Sequence, residues 1–592
     1  MLEDMDLFGM IGAKKSGDRT KAERRPFGID LGTTNSAISV GLDSGDAQVI
    51  QLTNGKRTMP SVVMWQGGDK FVVGQEAYDH DWDDSVVASV KRLMQDANAT
   101  VTFRHNGEER TMTPTEVSAL ILRGLVEQTG GMYGEVKDVV VTVPAYFNNI
   151  GVSNTKRACE LAGLNCLHVM REPTAAALNY NLDKSKSKVQ YAVVYDLGGG
   201  TFDVSLIRIT DRDAVNELYE LYDIERPAND KSTGRLIEPQ AIDGDGHLGG
   251  DDYDHELYKL VVDKLLATLQ AKGIKMTEDE IPAIDKRRIT RKAEVAKRDV
   301  ECRHNLAIRF RSTNGIDIEE EISLDPEDFV KGFMPIYLRT KKLLNSVLRY
   351  AHCPVSTILL MGGSTKNPIL KSLLEKDYPG FEISGALNPD ESVAQGAGKK
   401  ARNFLYGDAD VQIFDVLPQS IGILSGDKIL PMIKRNSQIP TTAQKYFKTI
   451  EDNQQYVRIR IFQGNSVIPE ECTELGEMLI DGLDPKPAGE TIVAAVLNVN
   501  SDCILHCKSA VGNKLKEITL NLNTSDTAAK PAEDKNVIRW RRHAAKMDPN
   551  AAKELLAMLD GYGTKYSKED IANFILANKQ HKEYDTKKVT EN

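Results

Sequence analysis

The chain has 592 residues, 41% of them hydrophobic and 27% charged, with a formal net charge of -11. That is ordinary globular usage spread over several domains' worth of chain. The acidic balance argues against nucleic-acid binding driven by phosphate contacts, and no apolar run reaches the roughly 18 residues of a membrane span.

Residues 1–25 end in a charged stretch, Lys14 to Arg25, and read as a flexible tail. Their apolar patch, Leu7 to Ile11, is too short for a secretory core, so a cytoplasmic protein is expected. From Phe27 to about Phe404, short apolar runs alternate with helix-length amphipathic segments. Val139–Val143 and Ala192–Tyr195 read as buried strands, and Thr115–Gly130 has helical spacing. This is α/β patterning. Within it, Ile29-Asp30-Leu31-Gly32-Thr33-Thr34 is echoed by Tyr195-Asp196-Leu197-Gly198-Gly199-Gly200-Thr201, each after a strand-like run. The repetition suggests two similar lobes facing one another.

A polar boundary, Gly407-Asp408-Ala409-Asp410, precedes a change of character. Residues 416–523 carry short alternating strands such as Val457–Ile461, with turn signals at Asn453, Gly464, Asp481-Gly482 and Pro485–Gly489. They read as an antiparallel β-sandwich. A polar linker covers 524–535. The tail is helical, with Asp548-Pro549 opening one segment and Ser567 to Asp570 resembling a capping box before another. The seven cysteines are odd in number and scattered. Cys503 and Cys507 have no second pair at zinc spacing, so all are read as thiols of a reducing compartment.

Glycines after a strand let backbone N–H groups approach phosphate oxygens with no Cβ in the way. An Asp at the strand end suits a hydrated magnesium ion, and Thr33, Thr34 and Thr201 add hydroxyls. One such turn is weak evidence; a pair in opposing lobes can clamp the phosphates of a nucleotide and its metal. Two further glycine turns, at Gly249-Gly250 and at Gly362-Gly363-Ser364, complete the walls of one cleft.

The ordered set Gly28 to Ser36, Val143 to Asn148, Glu172 to Ala177, Asp196 to Asp203 and Asn388 to Glu391 resembles the 70-kDa heat-shock chaperone family, DnaK type, over residues 26–523. The resemblance implies an actin-like two-lobed ATPase domain (26–407), a linker (408–415), a peptide-binding β-sandwich (416–523) and a short helical C-terminal region (524–592). It implies an ATPase using ATP and Mg2+, and a chaperone that binds extended stretches of unfolded polypeptide. A J-type co-chaperone, a nucleotide-exchange factor and a monomeric state are the expected company, with no nucleic acid and no membrane.

By the same resemblance Lys91, which alone reads as a solvated helix lysine, is catalytic, together with Glu172, Asp196 and Thr201. Asp30, Asp196 and Asp203 are expected to serve the metal. Gly32, Thr33, Thr34, Asn35, Gly198, Gly199, Gly200, Gly249 and Gly250 serve the phosphates. Glu294, Lys297, Arg298, Gly362, Gly363, Ser364 and Asp390 serve the nucleoside. Ile423, Phe447, Val457 and Ile459 match the peptide pocket and Ile450 the arch over it; on periodicity alone all but Ile450 read as sandwich core.

The chain also departs from the family. Val152 stands where a basic relay residue is usual. The linker reads Val411-Gln412-Ile413-Phe414-Asp415 in place of a leucine run, and Glu301 replaces a small hydroxyl residue. Residues 211–240 form an insertion. Ile450 is large where the arch is usually small, its opposite number falls at Ser425 or Gly426, and the C-terminal region is short. These changes bear on the interdomain signal, substrate preference and lid mechanics, and leave the ATPase motifs intact. Two other classes are kept open: a small-molecule phosphotransferase on the same fold, against which the β-sandwich argues, and an assembly or exchange partner of another chaperone.

Overall fold

The computed structural model describes residues 25–80, 84–179, 189–211, 235–351, 354–385, 388–406, 411–413, 415–500, 505–511 and 514–519, together with Leu555, Met558 and Ile571. The chain forms two compact units, Met1–Asn523 and Thr524–Asn592. In the second, Leu555 and Ile571 are buried and helical; the capping signals at Asp548 and Ser567 lie outside the described residues, as does the N-terminal tail before Arg25.

The first unit is mixed α/β. Its opening sheet contains β1 (Pro26–Asp30), β2 (Asn35–Gly41), β3 (Ala47–Val49), β4 (Asp138–Val143) and β5 (Asn165–Arg171), in the order β5-β4-β1-β2-β3, with the short strand Met59–Pro60 added to β2. β1 and β2 are antiparallel, whereas β1–β4 and β4–β5 are parallel. All six residues of β4 are buried, as a parallel strand covered on both faces requires.

A second sheet repeats the plan. It holds β6 (Val189–Leu197), β7 (Phe202–Thr210), β8 (Arg235–Asp245), β9 (Thr357–Met361), β10 (Glu382–Gly385) and β11 (Val411–Ile413), ordered β10-β9-β6-β7-β8-β11. β6 pairs antiparallel with β7 and parallel with β9, just as β1 pairs with β2 and β4. The echoed motifs are thus the two equivalent hairpin turns, β1–β2 and β6–β7. Two segments of the expected plan are placed here. Leu236–Pro239 pair with β7, so the last residues of the stretch read as an insertion are part of strand β8. The segment expected as a linker enters the sheet, with Val411–Ile413 parallel to Arg235–Ile237.

Helix α1 (Pro114–Glu127) starts where its cap dictates. The Thr113 side chain accepts from Glu116 N–H, Glu116 reaches back to Thr113 N–H, and Pro114 follows. It ends before Gly130 and Gly131, both left-handed at φ 62 and 68. Helices α2 (Asn149–Leu161), α3 (Glu172–Ala177), α4 (Gly250–Ala271) and α5 (Ala283–Ala296) carry or flank the site residues described below. Among the described residues no helix is long and apolar enough to cross a membrane.

Between Asp415 and Thr519 the described regular structure is strand, apart from one short helical turn at Pro469–Glu471. Two four-stranded antiparallel sheets form, one from β12 (Ile421–Ser425), β13 (Lys428–Ile433), β15 (Tyr456–Gln463) and β16 (Thr473–Asp481), the other from β14 (Thr441–Lys448), β17 (Ile492–Val499), β18 (Leu505–Val511) and β19 (Lys514–Thr519). Ile461 and Met478 of one sheet share a core with Leu497 and Cys507 of the other. That core is continuous with the apolar residues of the first sheet, including Phe147, Ile150 and Val152 of the β4–α2 turn and helix. Polar contacts reinforce the junction. Asn149 N–H donates to Gln463 Oε1 at 2.9 Å, and Arg435 donates to Ile242 O at 2.7 Å and pairs with Asp243 at 3.1 Å.

Candidate functional site

The glycine turns meet because they are glycines. A Cβ on Gly199 would lie 1.6 Å from Thr34 Oγ1, and one on Gly200 would lie 2.4 Å from Thr33 Cγ2. Any side chain there would push the β1–β2 turn away from the β6–β7 turn. The third turn is hydrogen-bonded to the second, Gly250 N–H to Gly198 O at 3.0 Å and Asp251 N–H to Gly199 O at 2.7 Å. The fourth joins through Ser364 Oγ, which donates to Gly198 O at 2.9 Å. Gly362 takes the left-handed region at φ +80, and a Cβ there would sit 2.5 Å from Asp196 Oδ1.

Together the turns wall a cavity of about 740 Å3. Of the residues expected to serve nucleotide, metal and catalysis, all but two line it. Gly200 faces Thr33 and Arg92 instead. Asp203 is buried behind Asp196, its cross-strand partner, and accepts from Tyr146 N–H at 2.9 Å. The lysine that alone reads as a surface residue is 4% exposed, and its Nζ donates to Glu172 Oε1 at 2.5 Å. Sequence order hides this pairing, since Lys91 lies in the short helical turn Val90–Gln95 and Glu172 opens α3.

The floor of the cavity is crowded with carboxylates. Burial pushes the Asp30 carboxyl up to about 7, and the charge of Glu172 adds to it; Lys91 and a 2.9 Å hydrogen bond from Thr142 oppose the rise. Asp203 is likewise raised to about 7 by burial and by Glu172, against the Tyr146 N–H. Asp196 is pushed well above its ordinary range by burial, then by Glu172, Asp203 and Asp30. Such a set has an affinity for further positive charge. Among the described residues no three His, Cys, Asp or Glu side chains converge on one point to ligate an ion directly. The cation that fits is therefore one that keeps its waters and uses few protein oxygens. Thr34 Oγ1 is buried without a hydrogen-bond partner beside Gly199, a polar atom left for something bound.

The far end of the cavity is held across its width. Tyr78 OH donates to Glu294 Oε1 at 2.9 Å and accepts from Arg298 at 2.8 Å, while the Arg291 guanidinium lies 3.8 Å from the Tyr78 ring centroid. Lys297 pairs with Asp254 at 2.5 Å, and Lys366 with Asp390. A second clasp joins Ser89 to Asp251 at 2.9 Å and Arg92 to Asp252 at 3.0 Å. Sequence reasoning missed Tyr78, Ser89 and Arg92. No motif surrounds Tyr78 in its four-residue helix Gln75–Tyr78; adjacency to Lys91 was the one available hint for Arg92.

The five residues expected at a peptide pocket separate. Ile423 and Ile459 are 3% and 4% exposed and belong to the core shared by the two antiparallel sheets. Phe447 and Val457 are half-buried against that core, and Ile450, in the turn between β14 and β15, is 84% exposed.

The chain matches the family model described as Hsp70 protein over residues 26–215 and 232–591. The match runs past residue 523 through the C-terminal region, where the motifs are silent. Its gap falls inside the stretch read as an insertion. The chain is 36% identical over 509 residues to the chaperone protein DnaK of Mycoplasmopsis pulmonis, covering 83% of this chain and 78% of that one. It is 33% identical over 520 residues to the chaperone protein DnaK of Metamycoplasma hominis, covering 86% and 81%. With a family match across most of its length and relatives covered over most of theirs, the chain belongs to the Hsp70 family and is a nucleotide-binding, ATP-dependent molecular chaperone.

Proposed function

We propose that the cavity between the two duplicated sheets binds ATP with Mg2+ and hydrolyses it, and that this cycle controls the grip of the antiparallel β region on extended, apolar segments of unfolded polypeptides. The observation that carries the reading is the buried Lys91–Glu172 pair among Asp30, Asp196 and Asp203, roofed by four glycine turns. Bound Mg2+ would neutralise phosphate charge. Asp30 and Asp196 would hold its hydration shell, with Asp203 behind them.

The protein's own groups then act by position. Lys91 brings an ammonium to the place where charge builds on the transferred phosphoryl group. Glu172, fixed by that ammonium, and the Thr201 hydroxyl orient the attacking water. The N–H groups of Gly32–Asn35 and Gly198–Gly200 receive the phosphates, Gly249 and Gly250 close that side, and Thr34 Oγ1 gains the partner it lacks. Glu294, Lys297, Arg298, Gly362, Gly363, Ser364 and Asp390 enclose the nucleoside.

The domain plan follows: an actin-like ATPase domain over 26–407, a linker over 408–415, a peptide-binding sandwich over 416–523, and a short helical region after it. Phe447 and Val457, half-buried at the sandwich surface, are the side chains best able to meet a peptide, with Ile423 and Ile459 beneath them and Ile450 at the rim. Peptide would add backbone hydrogen bonds and one central apolar side chain. We place the protein in the cytoplasm as a monomer, working with a J-type protein and an exchange factor. Calorimetry of the full chain tests the site: nucleotide should bind tightly with Mg2+ and weakly with a chelator, and binding indifferent to Mg2+ would remove the reading.

A further inference from the structure

Two free thiols face each other at one corner of the first sheet. Cys159, near the end of α2, is fully buried, and Cys166, the second residue of β5, is half-buried. The chain reverses between them, with Leu164 N–H donating to Cys159 O at 2.9 Å. In the sheet Cys166 lies opposite Val139 of β4. Val139 and Cys159 share one core and Cys166 packs against it, whereas the next residues along the two strands, Val140 and Leu167, belong to the core on the other face. Alternation thus turns the Cys166 side chain toward α2 and Cys159. The two thiols meet: a hydrogen bond with Cys166, and then burial, push the Cys159 thiol well above its ordinary range. Cys166 Sγ in turn donates to His168 O at 3.6 Å.

The two elements that carry these thiols also steady the two halves of the buried ion pair. Asn154 Nδ2 of α2 donates to Met94 O at 2.8 Å. Asn148, the cap of that helix, donates from its N–H to Gln95 Oε1 at 3.0 Å and from Nδ2 to Gln95 O at 3.1 Å. Met94 and Gln95 end the turn that carries Lys91. β5 runs on from Cys166 to Arg171, after which Glu172 opens α3. Sulfurs joined by a bond lie closer than sulfurs in hydrogen-bond contact, so joining these two draws the end of α2 toward β5. A rigid helix hands such a shift on to its other end, where a small misplacement slows a reaction that depends on position.

We propose that Cys159 and Cys166 are a reversible oxidation site, at which a hydroperoxide joins the two thiols in a disulfide that draws α2 onto β5 and slows ATP hydrolysis. Cys166, the thiol that solvent reaches, reacts first. Its sulfur takes the terminal oxygen of the hydroperoxide, the O–O bond breaks, and the other oxygen leaves as water or an alcohol with the thiol proton. Cys159 then attacks the Cys166 sulfenic acid. The S–S bond forms, the S–O bond breaks, and hydroxide leaves as water with the Cys159 proton. The two thiols lose two electrons, the hydroperoxide gains them, and a thiol reductant reverses the change. The raised Cys159 thiol suits the second role, since a thiol that keeps its proton is slow toward peroxide. The slowing rests on the reading of Lys91 and Glu172 as the hydrolytic pair; the bond itself does not.

The test treats the full-length chain with hydrogen peroxide and then with a thiol reductant, and reads peptide mass beside hydrolysis. The tryptic peptide Ala158–Arg171 contains both cysteines. After peroxide it should be two hydrogens lighter and resist alkylation, and after the reductant it should regain both properties of the parent. Single-turnover hydrolysis of pre-bound ATP should slow by about threefold to tenfold after peroxide and recover with the reductant. Cys166→Ser and Cys159→Ala should hydrolyse as the parent does and keep that rate after peroxide. If Cys159→Ala fails to fold, Cys166→Ser carries the test. A peptide that does not lose the two hydrogens, a disulfide that leaves the rate unchanged, or a slowing that persists in Cys166→Ser would overturn the proposal. A Lys91→Ala control, kept in reductant, separates the two readings. If it hydrolyses normally, the site assignment has failed, while the mass of the Ala158–Arg171 peptide still decides the disulfide. A dead Lys91→Ala beside an oxidised parent of unchanged rate refutes the thiol pair alone.

Discussion

Lys91→Ala removes the one ammonium bonded within a set of four carboxylates. In the intact protein Lys91 Nζ donates to Glu172 Oε1 at 2.5 Å and pulls the Asp30, Asp196 and Asp203 carboxyls down against burial and mutual repulsion. Breaking a buried pair by deleting one partner costs about 3–5 kcal/mol if the remaining charge persists. Here the carboxyls are already poised to take up protons, so the loss of stability should fall below that range near neutral pH and grow at higher pH. Catalysis has no such escape. Losing one charge that stabilises the transition state costs about 3 kcal/mol, or roughly a hundredfold in rate. We therefore expect single-turnover ATP hydrolysis to drop by two or more orders of magnitude while ATP affinity stays within about tenfold. The assay is quenched-flow hydrolysis of ATP by excess protein, with calorimetry for binding and thermal denaturation at two pH values for stability. A hydrolysis rate unchanged from the parent would refute the reasoning and leave Lys91 as a merely structural partner of Glu172.

Three further outcomes follow from the same geometry. Burial and the charge of Glu172 push the Asp30 and Asp203 carboxyls up to about 7, far above an ordinary carboxylate. Between about pH 4 and 7 the folded chain thus holds protons the unfolded chain has released, so their contribution to stability is lost as pH rises through 7. On the proposed site assignment Mg2+-nucleotide needs the charged carboxylates, so binding at about pH 6.5 should release about one proton or more and tighten toward pH 8; calorimetry in buffers of different ionisation enthalpy reads this, and proton-neutral binding would contradict it. Tyr78→Phe keeps the ring beneath Arg291 but removes the hydroxyl shared by Glu294 and Arg298, and should speed release of a fluorescent ADP by about threefold to tenfold; an unchanged rate would mean the clasp does not hold the cleft. Val457→Phe should weaken binding of an apolar peptide by about tenfold with the β region still folded. If affinity holds while thermal stability falls, Val457 is core and the pocket lies elsewhere.

What could be read in advance was local. Strand, Asp and glycine turn are consecutive residues, and the echo of Asp30–Thr34 in Asp196–Thr201 suggested two similar lobes; that each turn closes an antiparallel hairpin emerged with the structure. Helix α1 was legible from the apolar spacing of Thr115–Gly130, while its cap at Thr113 and Glu116 emerged with the structure. The buried role of Lys91 was accessible through family resemblance alone, because a lysine in Val90-Lys91-Arg92-Leu93 carries no periodic signature of burial. Tyr78 with Glu294 and Arg92 with Asp252 were not legible at all. Each pairs distant residues of unremarkable local pattern, and topology brings them together. The strand at 235–240 escaped for a different reason. Pro239 interrupts a weak alternation, and the pairing of β7 with β8 absorbs it by a register shift at Leu206 and Ile207.

The central claim is that ATP turnover and polypeptide binding are one cycle. It is tested most directly by steady-state ATPase measurement on the full-length chain, with and without an unfolded, apolar-rich polypeptide, and with a panel of small metabolites as control. The account predicts slow turnover alone, a rise of at least severalfold with the polypeptide, and no response to the metabolites. Turnover indifferent to polypeptide, or raised by a metabolite that becomes phosphorylated, would contradict it.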